Sequence, residues 1–432
     1  MVHRPRHPTS RGPLTLSRPT VSRRRTALVG GTAALALLVT ACGSKGAQQP
    51  GSGGGASDTL TLGAALSLTG KLAREGVLTK EGYSVCQDLV NAKGGIPVGD
   101  KKLKLDIQYQ DDTSTPDTAA QLVGQFNDKG VKLILGSYGS ANTEAQAGVT
   151  ERNGQVLLAS AGADNKIFEQ GYKRTFGVLS PATEYEAALL KAIAEMAKPK
   201  PKTVAFLSAD DGFSKTATEG GLAEAKKQGF TTVGPEFFPN GATDVSAALT
   251  KVKASKPDVI LGSVHLAEGI AIVKQAKELG ISPSGGFGES VAPPTPDFAK
   301  TLGPLADGVL GSSQWTPEVK GSDKYVGTAA DYTKLITDRF GHAPDYHNAE
   351  ATAACLAGVL AVEKAGSSDI EKVRDALAGL DEKTFFGEIK FNEQGQNVVK
   401  PMLVIQVQKG KAVTVWPRES ASAPLVWPGT AS

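Results

Sequence analysis

From Thr59 onward the chain alternates between the hydrophobic periods of strands and of helices, and it does so in two successive series. Leu60-Thr61-Leu62-Gly63-Ala64-Ala65 reads as a first strand. Over 77–91, Val77, Leu78, Val85, Cys86, Leu89 and Val90 recur at helical spacing, and Gly94-Gly95 ends the pattern. Leu103, Leu105, Ile107 and Tyr109 alternate with polar residues, as in a strand, with Asp111-Asp112 at its C-terminal end. Thr115 then has the chemistry of an N-cap and Pro116 that of a first helical position, ahead of the apolar set Ala119, Leu122, Val123 and Phe126. Apolar runs at 132–135 and 156–159 supply two more strands. The second series begins after Pro181, with strands over 203–207, 231–238 and 258–261 and helices over 214–228, 245–254 and 268–279. Two further helices are predicted over 325–340 and 349–365, and strands over 388–391, 402–408 and 413–416. Strands joined through helices form open, mostly parallel sheets with helices on both faces, so the fold class is α/β with two such units.

Size agrees with two units. Residues 58–417 number 360, which exceeds what one hydrophobic core comfortably serves. What precedes them has a different composition. Arg23, Arg24 and Arg25 lead into an uncharged apolar stretch at 26–40, too short to span a bilayer comfortably but suited to a signal-peptide core. Val39-Thr40-Ala41-Cys42 reads as a lipobox, with residues 1–41 removed and Cys42 carrying lipid. Ser22-Arg23-Arg24 resembles a twin-arginine signal whose following residues match poorly, so the export route stays open. Residues 43–57 (GSKGAQQPGSGGGAS) form a flexible tether. Residues 418–432, rich in Ala, Ser and Pro, form a loosely packed tail.

Removing the leader changes the charge argument. The chain has 47 Lys+Arg and 44 Asp+Glu, but residues 1–41 hold seven arginines and no acid, leaving 40 minus 44, or −4. Nucleic acid is therefore not a partner. Three cysteines occur, and with Cys42 assigned to lipid, Cys86 and Cys355 remain, as two buried thiols or as one bridge in an oxidising compartment. No CxxC, HExxH or His/Cys cluster suggests a metal, and no cofactor is implied. GxSxG and GxxxxGK[ST] are absent, and the GxGxxA match at 51–56 lies in the tether without a preceding strand. An exported enzyme would have to work with carboxylates alone. The strand-end loops 136–140, 160–164, 209–213 and 286–290 are rich in Gly and Ser, a composition that exposes backbone N–H groups to a small polar ligand.

Together these segments resemble the type I solute-binding proteins of branched-chain and hydrophobic amino-acid ABC transporters. The similarity covers about 59–416 and is carried by GAALSLTG at 63–70, VNAKGGI at 90–96, QDD at 110–112 with Thr115-Pro116, FPNGATDV at 238–245 and TFFGEIKF at 384–391. The resemblance implies a two-lobed fold with three hinge crossovers, near 178–181, 311–315 and 386–388. Lobe 1 is then 58–179 plus 316–386, and lobe 2 is 180–315 plus 387–417. It also implies a monomeric, lipid-anchored receptor outside the cytoplasm that delivers a small ligand to an ABC permease and has no catalytic residues. A ligand-sensing lipoprotein of the same fold is the alternative.

The implied ligand residues are Tyr138, Ser140 and Gly162 in lobe 1 loops and Phe213, His265 and Glu289 in lobe 2, with Tyr346 as a further cleft aromatic. Ser140 would hold a carboxylate and Glu289 an ammonium. Where the family commonly has Thr, this chain has Asp164, which either faces the ligand or N-caps a short helix at 165–170. Cys86 and Cys355 fall on helices that the family layout places together in lobe 1.

Overall fold

The computed structural model describes residues 59–428; the leader, Cys42 and the tether lie outside them. Six strands build the first sheet: β1 (Thr59–Leu66), β2 (Ile96–Val98), β3 (Lys101–Asp111), β4 (Leu133–Leu135), β5 (Val156–Ala159) and β6 (Thr175–Gly177). Their order is β2-β3-β1-β4-β5-β6, parallel except for β2 on β3. Between them run α1 (Ala73–Ala92), α2 (Pro116–Asp128), α3 (Ser140–Asn153) and α4 (Asn165–Glu169). Helix α3 has no apolar period because its buried face is polar: Asn142, Thr143, Gln146 and Thr150. That is why the hydrophobic pattern passes over it.

After α5 (Glu184–Met196), the second sheet uses β7 (Thr203–Ala209), β8 (Thr231–Phe238), β9 (Val259–Ser263), β10 (Phe287–Glu289) and β11 (Leu310–Ser313). They alternate with α6 (Gly212–Gln228), α7 (Ser246–Lys253), α8 (Leu266–Glu278) and α9 (Pro296–Leu302). These five strands are parallel. The chain then forms a small hairpin, β12 (Ser322–Asp323) and β13 (Gly327–Thr328), before α10 (Ala329–Phe340), α11 (Tyr346–Ala365) and α12 (Ile370–Ala378). Helix α10 starts at Ala329 rather than near 325, because Thr328 and Asp331 form a reciprocal capping box there.

Helix α11 is buried nearly all round. Its many alanines let neighbours approach on every side, and a side chain on Gly82 of α1 would collide with the Asn348 carbonyl. Cys86 and Cys355 are disulfide-bonded across this α1–α11 contact, with Cα atoms 6.2 Å apart.

The third crossing and the tail differ from expectation. Strand β14 (Asp381–Thr384) pairs antiparallel with β15 (Gly387–Lys390), outside both large sheets. Gln396 then bridges to Gly177 of β6, and the Asn397 amide donates to the Val178 and Glu388 carbonyls. The chain therefore enters the second sheet only past Lys400, not at 386–388, as the antiparallel strands β16 (Leu403–Gln408) and β17 (Lys411–Trp416) beside β11. Ser180, Gln314 and Lys400, one from each crossing strand, bond to one another. The tail is fastened through its described residues: Val426 and Gln406 exchange two hydrogen bonds, and the Trp427 indole donates to the Pro199 carbonyl.

Candidate functional site

Four helices begin at one place between the two sheets. Ser140 is the first residue of α3, Phe213 the second of α6 and Tyr346 the first of α11, and His265 is the N-cap residue of α8. Each start follows from local sequence. Gly139 takes a φ of 91° ahead of α3, Asp211 caps α6 by accepting from the Ser214 amide, and Asp345 caps α11 by accepting from His347 and Asn348. Helix N-termini present unpaired N–H groups and partial positive charge, so their convergence favours an anion.

Beneath α3, Asp112 secures the loop. Its carboxylate accepts from Ser67 (2.8 Å), Ser137 (2.6 Å), the Asn142 amide (3.2 Å) and the Ser114 backbone (2.8 Å), a fully bonded buried carboxylate.

The helix starts enclose a cavity of about 20 Å3, lined by Tyr138, Ser140, Tyr185, Phe213, His265, Tyr346 and Glu350 together with small and aliphatic residues. An outer chamber of about 180 Å3 shares Gly139, Ser140 and His265 and reaches Lys71, Asp211 and Asn240. Ser140 Oγ accepts from the Asp164 amide at 3.2 Å, which leaves its hydroxyl proton free to donate. Phe213 meets Tyr185 edge-on at 5.0 Å.

Direct bonds join the lobes over this cavity. Tyr138 Oη and His265 Nδ1 are 2.9 Å apart, Thr216 donates to Asp164 Oδ1 at 2.8 Å, and Arg74 pairs with Asp297. Burial lowers the His265 pKa, but the Asp211 charge 3.3 Å from Nε2 outweighs it, and with Glu268 and Glu75 the pKa rises to about 9. The raised pKa favours the imidazolium form of His265, in which Nδ1–H is the donor of the Tyr138–His265 bond. Asp211 is held below the carboxylate range despite burial, by His265 and by donors from Ser214 and Asn240.

Of the residues that the resemblance implies, Tyr138, Ser140, Phe213, His265 and Tyr346 line this one cavity. Three residues do not. Gly162 is turned onto α3, where an added Cβ would strike Thr143, and its neighbours Ala161 and Ala163 line the cavity instead. Asp164 caps α4 by accepting from the Lys166 amide while also accepting from Thr216. Glu289 is wholly buried behind the wall and faces α8, so that a Cβ on Gly269 would lie 2.3 Å from its Oε2. Both its oxygens lack hydrogen bonds, and burial, with Glu186 and Glu268 nearby, pushes its carboxyl well above the usual range.

Tyr185 and Glu350 line the cavity without having been anticipated. Glu350 left a signal, a lone acid inside an alanine-rich helical run at 349–362. Among the described residues no cluster of His, Cys, Asp and Glu is arranged to hold a metal, and no helix is long and apolar enough to cross a membrane.

Residues 59–412 match the family model described as periplasmic binding protein. A Leu/Ile/Val-binding protein homolog 8 of Brucella abortus is 25% identical over 381 residues, covering 84% of this chain and 92% of the relative. Two solved structures are similar in fold. LivJ of Streptococcus pneumoniae, a branched-chain amino acid transporter substrate-binding protein in complex with isoleucine, has a TM-score of 0.73 at 22% identity, over 82% of this chain and 97% of that one. A solute-binding protein of an ABC transporter from R. palustris, in complex with benzoate, has a TM-score of 0.70 at 16% identity, over 85% and 97%. With a family model matched over most of its length and the two-lobed architecture that goes with it, this chain belongs to the periplasmic binding protein family.

Proposed function

We propose that the mature protein is a lipoprotein, anchored through Cys42 and a flexible tether, that captures an amino acid or related small polar solute between its lobes and hands it to an ABC permease. Ser140, with the N–H groups at the start of α3, holds the solute's carboxylate. The observation that carries this reading is the convergence of four helix N-termini from both lobes on one cavity. Aromatic walls from Tyr138, Tyr185, Phe213 and Tyr346 suit an apolar or flat body.

The cavity of about 20 Å3 is far below the roughly 300–1,000 Å3 of ligand pockets, so a solute enters only when the lobes part. Closure then follows from contacts that the solute makes to both lobes at once. Calorimetry with amino acids and small organic acids tests the reading. Ser140→Ala removes one charge-assisted hydrogen bond and should weaken binding about 10- to 100-fold. Unchanged affinity in that variant would refute the assignment of Ser140.

A further inference from the structure

Glu350 stands on the cavity wall with nothing to bond. It is fully buried, neither carboxylate oxygen has a hydrogen-bond partner, and among the described residues it is the only acid lining the cavity. Buried carboxylates in folded proteins are nearly always paired, so an orphan of this kind calls for a partner. Lys400 does not supply one: its ammonium donates to the backbone and side-chain oxygens of Gln314 at the hinge. Burial pushes the Glu350 carboxyl well above the usual range, Asp345 adds to this, and Lys400 opposes it. Burial thus favours the protonated form of Glu350, and it lowers the Lys400 amine to about 7, so the two buried groups do not form a fully charged pair.

The aromatic part of its surroundings favours a cation, although the raised His265 on the same cavity opposes one. Glu350 lies one helical turn beyond Tyr346 on α11, on the same face. Tyr138, Tyr185, Phe213 and Tyr346 share the cavity, and aromatic faces attract cations. The geometry points to Glu350 as the receptor for the cationic end of the ligand. The solute is then a compact zwitterion, with its ammonium or alkylated ammonium at α11 and its carboxylate at Ser140. This rests on the carboxylate reading of Ser140 given above. It moves the cation contact from lobe 2, where Glu289 is turned away, to lobe 1. It also excludes acids of the same shape that lack the nitrogen. When the cation arrives, the Glu350 carboxyl gives its proton to solvent and the ligand's ammonium keeps its own, so binding releases up to one proton.

Titration calorimetry with three matched pairs tests this: L-leucine against 4-methylpentanoate, L-phenylalanine against 3-phenylpropanoate, and glycine betaine against 3,3-dimethylbutanoate. Runs in phosphate and in Tris report proton release. At least one nitrogen-bearing member should bind about 100-fold or more tightly than its partner and release a proton. Glu350→Gln, which has the shape of the neutral acid and should melt like the parent, should reduce that member to the level of its partner and abolish the release. Equal affinities within every pair, amine affinity kept within about threefold by Glu350→Gln, or binding without proton release would each overturn the inference. If the acids bind alone and only Ser140→Ala weakens them, the carboxylate reading stands and this one falls. If none of the six probes binds, both fall.

Discussion

The Cys86–Cys355 bridge should account for a large share of the stability of the first lobe. The two residues are 269 positions apart, and the loop they close contains the entire parallel part of the second sheet. In the chain-entropy treatment, closing a loop of that length in the unfolded chain costs about 2.1 + 1.5R ln 269, or roughly 19 cal/mol/K, which is about 5.6 kcal/mol at 25 °C. That figure is an upper value, because residual structure in the unfolded chain already restricts it and measured effects cluster lower. Both sulfurs are fully buried between α1 and α11, so Cys86→Ala/Cys355→Ala also leaves a small cavity. The double variant should lose about 3–5 kcal/mol in guanidinium unfolding followed by circular dichroism. Neither cysteine lines the ligand cavity, so solute affinity at low denaturant should be unchanged. A loss below about 1 kcal/mol would refute the loop-entropy argument, since a closed loop of this size cannot be that cheap in an expanded unfolded chain.

Two further outcomes follow from buried charge. Burial raises Glu186 to about 8, opposed by its bond from Ser263, so the folded protein holds a proton that the unfolded chain releases near pH 4.5. Stability should therefore fall as pH rises from about 4.5 to 8, by up to roughly 5 kcal/mol, and Glu186→Gln should flatten that fall in thermal melts across the range; parallel profiles for the two proteins would contradict it. His265, raised to about 9, adds stability that is complete below pH 6.5 and lost as pH rises through 9. Asp211→Asn should bring the NMR titration midpoint of His265 down by two units or more, and an unmoved midpoint would show that Asp211 does not set it.

Much of the architecture was legible in hydrophobic period and punctuation. The runs that became β1, β3, β5, β7 and β16 bury their apolar residues against helices, and α2 starts at Pro116 as the Thr115-Pro116 pair requires. Helix α3 was not legible, because its packing is made by buried hydrogen bonds that leave no apolar stripe. The crossing near Lys400 was hidden for another reason. Strand β15 has a normal strand pattern, and nothing in that pattern says which sheet it joins; its partner β14 and the Gly177–Gln396 bridge decide.

The cavity divides in the same way. The resemblance pointed to Ser140, Phe213, His265 and Tyr346, which line the cavity; the first three follow strands of the two sheets, whereas Tyr346 opens α11 after α10. Side-chain direction was beyond the reach of that resemblance. Glu289 occupies the expected loop position, yet it turns beneath α8, while Asp164 is drawn to the Lys166 amide and to Thr216. Glu350 comes to the wall only because α11 starts at the cleft and runs between α1 and the first sheet, a placement set by contacts with residues hundreds of positions earlier. Composition and period are local properties, and by themselves they determined two α/β units with small-residue loops at the ends of their strands. Which carboxylate meets the cleft and which is buried behind it was decided by tertiary packing, because a side chain's direction depends on what the rest of the chain leaves open to it.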